Sequence, residues 1–347
     1  MIARSFLHSI VGRCATLKSL EIREEDVNPD YEDAISEVVS SLPKLEVLNC
    51  GLLEYGAIAH LDQLESLREL SFTVSPKYSY QDLHHHFLFG RLSYLGLASA
   101  DSLGIILPLL QYIPRLPPFF IFSALRSTVS EIRNVIAHIV RAGNGDIDDV
   151  NIDVQRGIPE WDDPPECLIF DDIQPLSRFK NIRTLILCTG QPFCLDDDDV
   201  KMLSSYWPKM DTFNISGTTG WGGVTRITFK GILSIVENCR YLRNLGIVFD
   251  ARSRRGLASG RPGGGISSSL SILMVGDSLI DNPAEVAMIL SDLFPNVETL
   301  QAWEDTTWGH DDDVVEEQRE KWEEATKLLM MFTSIRRQER AWVQSTI

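Results

Sequence analysis

Along this chain apolar positions recur in one short frame: apolar, two others, apolar, one other, apolar. It is plainest at Leu242/Leu245/Ile247 and recurs at Leu17/Leu20/Ile22, Leu45/Leu48/Cys50, Leu67/Leu70/Phe72, Leu92/Leu95/Leu97 and Leu116/Phe119/Ile121. It continues at Ile147/Val150/Ile152, Ile182/Leu185/Leu187, Met210/Phe213/Ile215, Leu270/Leu273/Val275 and Val297/Leu300/Ala302. Most frames carry another apolar residue three positions earlier: Cys14, Leu42, Leu64, Phe89, Ile113, Phe179, Trp207, Cys239 and Phe294, with Asn144 and Ser267 breaking the rule. One such frame means little, because any amphipathic stretch can supply it. A series in order, with starts roughly 22 to 35 residues apart and a mean of about 28, is a repeat.

Apolar residues at helical spacing precede several frames: Ile35, Val38, Val39 and Leu42; Ile232, Ile235, Val236 and Cys239; Val286, Ile289, Leu290, Leu293 and Phe294. Asn282-Pro-Ala-Glu285 supplies the last of these helices with an N-cap, a proline at its first position and an acid at the capping-box position. Helix, turn and short strand in this period predict an α/β leucine-rich-repeat solenoid, a right-handed α/β horseshoe with a parallel concave sheet and helices outside. Residues 1–310 are expected to form about eleven irregular repeats. Residues 311–347 then form a capping helix, with Val315, Trp322, Ala325, Leu329, Phe332 and Ile335 on one side and Arg336, Arg337 and Arg340 near its end.

Side chains alternate faces along a strand, so the residues between frame positions form an exposed ladder. Tyr94, Phe120, Phe122, Ile186, Met274 and Trp303 are its apolar members, and Asn151 and Asn214 are polar ones. A partner protein would bury the apolar group. Long segments after the strands place Trp161, Trp221 and Trp308 on one rim, and Arg254 and Arg255 lie beside Arg252 and Arg261 in a Gly/Ser-rich loop. These arginines are candidates for contact with an acidic or phosphorylated partner.

Composition narrows the partner. A net charge of −17 over 347 residues disfavours a broad grip on nucleic acid or an anionic membrane. The 44% hydrophobic content is ample for a continuous core, and no stretch reaches a membrane span. The six cysteines show no CxxC pair, and Cys14, Cys50 and Cys239 occupy frame positions, so reduced thiols in the cytoplasm or nucleus are expected in place of a disulfide or zinc framework. A transit peptide at Arg4, Arg13 and Lys18 competes with a repeat frame already under way at Cys14.

Candidate chemistry mostly dissolves into the repeat. Gly276-Asp277-Ser278-Leu279 resembles the block of GDSL-type hydrolases, with Ser278 as nucleophile, but the only later histidine is His310 and Thr307 stands where the paired acid belongs. His84, His85 and His86 are consecutive and cannot converge on one ion. The acids from Asp146 to Asp153 lack the glycine and glutamate of a calcium loop, and Asp196 to Asp199 precede a helix whose N-terminus they suit. No enzyme activity, cofactor or metal is expected.

The cysteine-led frames at Cys14 and Cys239, the Pro-Lys-Leu-Glu-Val-Leu phrase at Pro43, its counterpart at Pro295 and the tail around Ile335 resemble the ribonuclease-inhibitor-like repeats of F-box proteins, fungal members in particular. That resemblance implies an arc that holds a substrate protein for a cullin-type ubiquitin ligase. The F-box that would dock the ligase adaptor is not present in this chain, whose first frame starts at Cys14, so the adaptor is a partner only if an F-box lies upstream. The alternative is a stand-alone scaffold or inhibitor.

Overall fold

The computed structural model describes residues 7, 9–11, 13–22, 31–77, 89–155, 166–223, 225–252, 257, 269–304 and 309–345. The chain forms two compact units, Met1–Gln155 and Arg156–Ile347. In the first, strands β1 (Ser19–Glu21), β2 (Val47–Leu52), β3 (Glu69–Thr73), β4 (Tyr94–Ser102), β5 (Phe119–Arg126) and β6 (Asp149–Val154) pair in sequence order, all parallel. Helices α1 (Glu32–Ser40), α2 (Tyr55–Asp62), α3 (Leu107–Leu110) and α4 (Val129–Ala142) fall in the crossovers. The second unit repeats the plan with β7 (Thr184–Cys188), β8 (Thr212–Ile215), β9 (Asn244–Ile247), β10 (Ile272–Met274) and β11 (Thr299–Gln301). Its helices are α5 (Phe170–Ile173), α6 (Asp197–Tyr206), α7 (Phe229–Asn238), α8 (Pro283–Leu293) and α9 (Asp312–Ser345). Both units are α/β leucine-rich-repeat solenoids. No helix among the described residues is long and apolar enough to cross a membrane.

Neighbouring repeats are tied by a main-chain device. The carbonyl just after the first frame residue accepts two consecutive N–H groups of the next repeat: Lys18 from Glu46 and Val47, Glu46 from Arg68 and Glu69, Arg183 from Asp211 and Thr212, Arg243 from Ser271 and Ile272. Side chains add to it. The Trp207 indole donates to the Phe179 carbonyl at 2.8 Å, and the Cys239 thiol lies 3.4 and 3.5 Å from the Ser204 and Trp207 carbonyls. Burial pushes that thiol up to about 12, so it remains a donor and not a nucleophile.

The acidic run works across repeats. Asp196 caps α6 through the amides of Asp198 and Asp199, and the Asp199 carboxylate accepts the Asp196 amide in return. Asp197 reaches the next helix, accepting from the Thr228 amide at 2.7 Å, the Gly231 amide at 2.9 Å and the Thr228 hydroxyl at 2.8 Å. Asn282 caps α8 through the Glu285 amide, as its sequence phrase implies.

Helix α9 buries Val315, Gln318, Trp322, Ala325, Leu329 and Thr333. Ile335, expected on that side, is 49% exposed, and the inward place one turn beyond Leu329 goes to Thr333. The Trp322 indole donates to the Ser278 carbonyl at 2.7 Å, the Ile280 amide to Gln318 Oε1 at 2.8 Å, and Arg336 to Ser291 and Asp292 of α8.

In α4 the Thr128/Glu131 capping box starts a helix whose Ile132, Val135, Ile136 and Ile139 face the core. His138 is buried with them, its Nδ1 2.9 Å from Arg141 Nη2. Burial first, and the Arg141 charge second, lower its pKa from 6.5 to about 4, the Ile113 carbonyl opposing them. An unfolded chain takes up this proton as pH falls below 6.5 and the folded one does so only near 4, so stability is full above 6.5 and declines through that window. The loss is expected to reach about 2 kcal/mol at pH 5. Urea midpoints at pH 7 and pH 5 should show it for the native chain, and a smaller loss for His138→Gln.

Candidate functional site

The outward face of each sheet is the surface available for recognition. In the second unit the pairing aligns Thr184, Thr212, Asn244, Ile272 and Thr299 in one row, and Ile186, Asn214, Gly246, Met274 and Gln301 in the next. Ile186 and Met274 are half-buried there, at ladder positions as expected. Asn214 differs. It is 6% exposed, its Oδ1 accepts the Gly217 amide at 2.9 Å, and it lies across Gly246, where a Cβ would stand 2.2 Å from that oxygen. It shapes a turn and is spent as a recognition group.

In the first unit the fifth frame is displaced by one residue. The structure pairs Leu95 with Phe120 and Leu97 with Phe122, and both phenylalanines are buried, their rings 5.1 Å apart. Phe119, 44% exposed, and Ile121 take the outward positions instead. The cause is Pro117, which occupies the first frame position: it is buried, and the carbonyl of Pro118 accepts the Asp148 and Asp149 amides as the corresponding carbonyls do elsewhere. The exposed ladder therefore holds Tyr94, Phe119 and Ile121 next to Asn151, and Phe120 and Phe122 leave it.

Among the described residues, the two tryptophans on the rim of the second unit are packed inward. Trp303 is fully buried because it adopts φ +56°, which ends strand alternation and swings the indole inward to donate to the Ser278 carbonyl at 2.9 Å. Trp221 is 2% exposed, packs tilted against Phe193 with ring centroids 5.4 Å apart and donates to the Ile215 carbonyl. Neither tryptophan presents itself to a partner. Between them Asp277 is buried, its carboxylate accepting from the Trp221 amide at 2.8 Å, the Gly222 amide at 2.6 Å and His310 Nε2 at 3.0 Å. The His310 ring packs 5.0 Å from Trp303.

This arrangement also decides what Ser278 does. Its hydroxyl is fully buried, donates to the Val275 carbonyl and accepts the Phe249 amide at 2.9 Å, while His310 Nε2 is engaged by Asp277. A nucleophile needs a base on its oxygen and an open approach. Ser278 has a structural task.

The expectation of reduced thiols fits the frame cysteines Cys14, Cys50 and Cys239 and fails for two others. Cys167 and Cys194 form a disulfide beside the parallel bridge between Leu168 and Phe193. Their separation of 27 residues is about one repeat, so the period, and not a CxxC spacing, brings them together. Cys50, Cys188 and Cys239 are buried thiols outside any disulfide. Arg254 and Arg255, with His84 to His86, Trp161, Arg261 and Trp308, lie outside the described residues, whereas Arg252 forms a two-pronged ion pair with Asp250 at 2.8 and 3.0 Å. That pairing holds the Asp250 carboxyl below its ordinary value.

No protein-family model and no curated protein matches the chain. Solved structures do. The chain is similar over 83% of its length to 70% of a chain in the Rad7 and Elc1 complex in yeast, at 18% identity and a TM-score of 0.47. A second similarity, to the TLR13–ssRNA13 complex, covers 78% of this chain and 34% of that one, at 12% identity and a TM-score of 0.34.

Proposed function

We propose that this chain is a non-catalytic protein-recognition module that binds a partner protein on the outward faces of its sheets. The observation that carries this reading is the retention of Tyr94, Phe119, Ile121, Ile186 and Met274 at accessible ladder positions. A merely solvated sheet face has no need of large apolar groups there. Helix α9 acts in this reading as the cap of the second unit, its apolar side covering the last repeats.

The resemblance to F-box repeats favours a substrate-holding role in a cullin-type ubiquitin ligase. The Cys167–Cys194 bond favours the other reading, a scaffold or inhibitor with no link to ubiquitin, because disulfides persist in oxidising surroundings and are rare in the cytosol and nucleus. Co-purification of the cullin adaptor would select the first, and its absence would select the second.

Photo-crosslinking tests the module itself. A benzophenone amino acid at Tyr94, Ile186 or Met274 is expected to yield adducts with a cellular protein, and the same group at Met202 or Met288, exposed on α6 and α8, is not. Equal yields from the two sets, or none from the sheet positions, would overturn the reading.

A further inference from the structure

We infer that the sheet face of the first unit takes a polypeptide segment in which an apolar anchor is flanked by lysine or arginine; this deepens the recognition reading and rests on it. The pairing places Glu69, Tyr94 and Phe119 side by side on successive strands. Ile121 pairs with Asn151, and two residues earlier on both strands Phe119 and Asp149 adjoin. One row thus runs acid, tyrosine, phenylalanine, acid across four strands, about 14 Å from end to end at the usual strand spacing. Asp153, paired with Ser123, adds another carboxylate on the same face.

At the described outward positions from Ser19 to Asp153 on β1–β6 the one lysine or arginine is Arg126, and it pairs with Asp101 at 2.7 Å. Glu69 and Asp153 are exposed and have no ion-pair partner among the described residues. The field is felt at Tyr94, whose phenol is held above its ordinary value by burial first and then by Asp149 and Glu69. An acidic segment would meet repulsion and a purely apolar one would leave the Glu69 and Asp153 carboxylates desolvated without partners. A basic flank neutralises them, and its long stems lie along the Tyr94 and Phe119 rings.

The probes are labelled peptides Gly-Lys-Lys-Leu-Leu-Lys-Lys-Gly, the same peptide with glutamate for lysine, and the same with serine for leucine, read by fluorescence anisotropy against the full chain. The lysine–leucine peptide is expected to bind at least ~10-fold more tightly than either counterpart, more weakly as salt rises. Phe119→Ser and Glu69→Lys, both at exposed positions that leave the fold intact, should each weaken it ~10-fold, and Met274→Ser in the second unit should not. Equal binding of the glutamate peptide, indifference to Phe119→Ser, or no binding at about 1 mM would overturn the inference. Sheet-face crosslinks to a cellular protein alongside that failure would leave the recognition reading standing, whereas loss of the crosslinks removes the reading itself.

Discussion

Replacing Asp277 by alanine is expected to lower the stability of the second unit by about 4 kcal/mol, among the largest effects any single change in this chain should have. The carboxylate is buried and holds the Trp221 and Gly222 amides together with His310, so its removal strands two main-chain donors and a ring nitrogen. Each buried donor left without an acceptor costs about 1–3 kcal/mol. Asp277→Asn should cost less, since its remaining oxygen still accepts one amide, and Ser278→Ala less again. Tryptophan fluorescence during urea unfolding measures all of them, because Trp221 and Trp303 sit on either side of the lost group. A drop under about 1 kcal/mol for Asp277→Ala would show that the rim does not depend on it.

The second large effect concerns register. Phe122→Ala is expected to destabilise the first unit by about 4 kcal/mol, and Phe119→Ala by less than about 1. Phe122 is fully buried with its ring against Phe120, and deletion there opens a cavity that close-packed neighbours cannot fill. Phe119 stands 44% exposed and loses little. The reverse order would restore the frame that begins at Leu116. Equilibrium denaturation of the two variants decides between them.

That pair of residues shows what the sequence could and could not say. The repeat is legible because a leucine every few positions, in frames at a mean spacing of about 28, arises by stacking one kind of unit and seldom otherwise. At the fifth repeat the stretch from Phe119 to Phe122 is apolar at every position, so period-two reasoning allows either face, and a proline standing in for leucine removes the one residue that would have broken the tie. Trp221 and Trp303 escape pattern reading for a different reason. A left-handed residue at a strand end, here Trp303 and likewise Ser216 at φ +53°, cancels alternation, and no pattern of apolar residues announces it. The Asp277 cluster joins positions 221, 277 and 310, which only the stacked repeats bring together. The Cys167–Cys194 pair, by contrast, was within reach, since its spacing matches the repeat.

The shared carbonyl that links one repeat to the next belongs to Lys18, Glu46, Arg68, Pro118, Arg183, Asp211, Arg243 or Ser271, residues of every charge and shape. The acceptor of the joint is an atom that all amino acids possess and its donors are groups that only proline lacks, so any mutation there other than to proline at a donor position leaves it in place. Drift at these sites is therefore cheap, and descendants of one ancestral chain could diverge at every joint while inheriting the same stack.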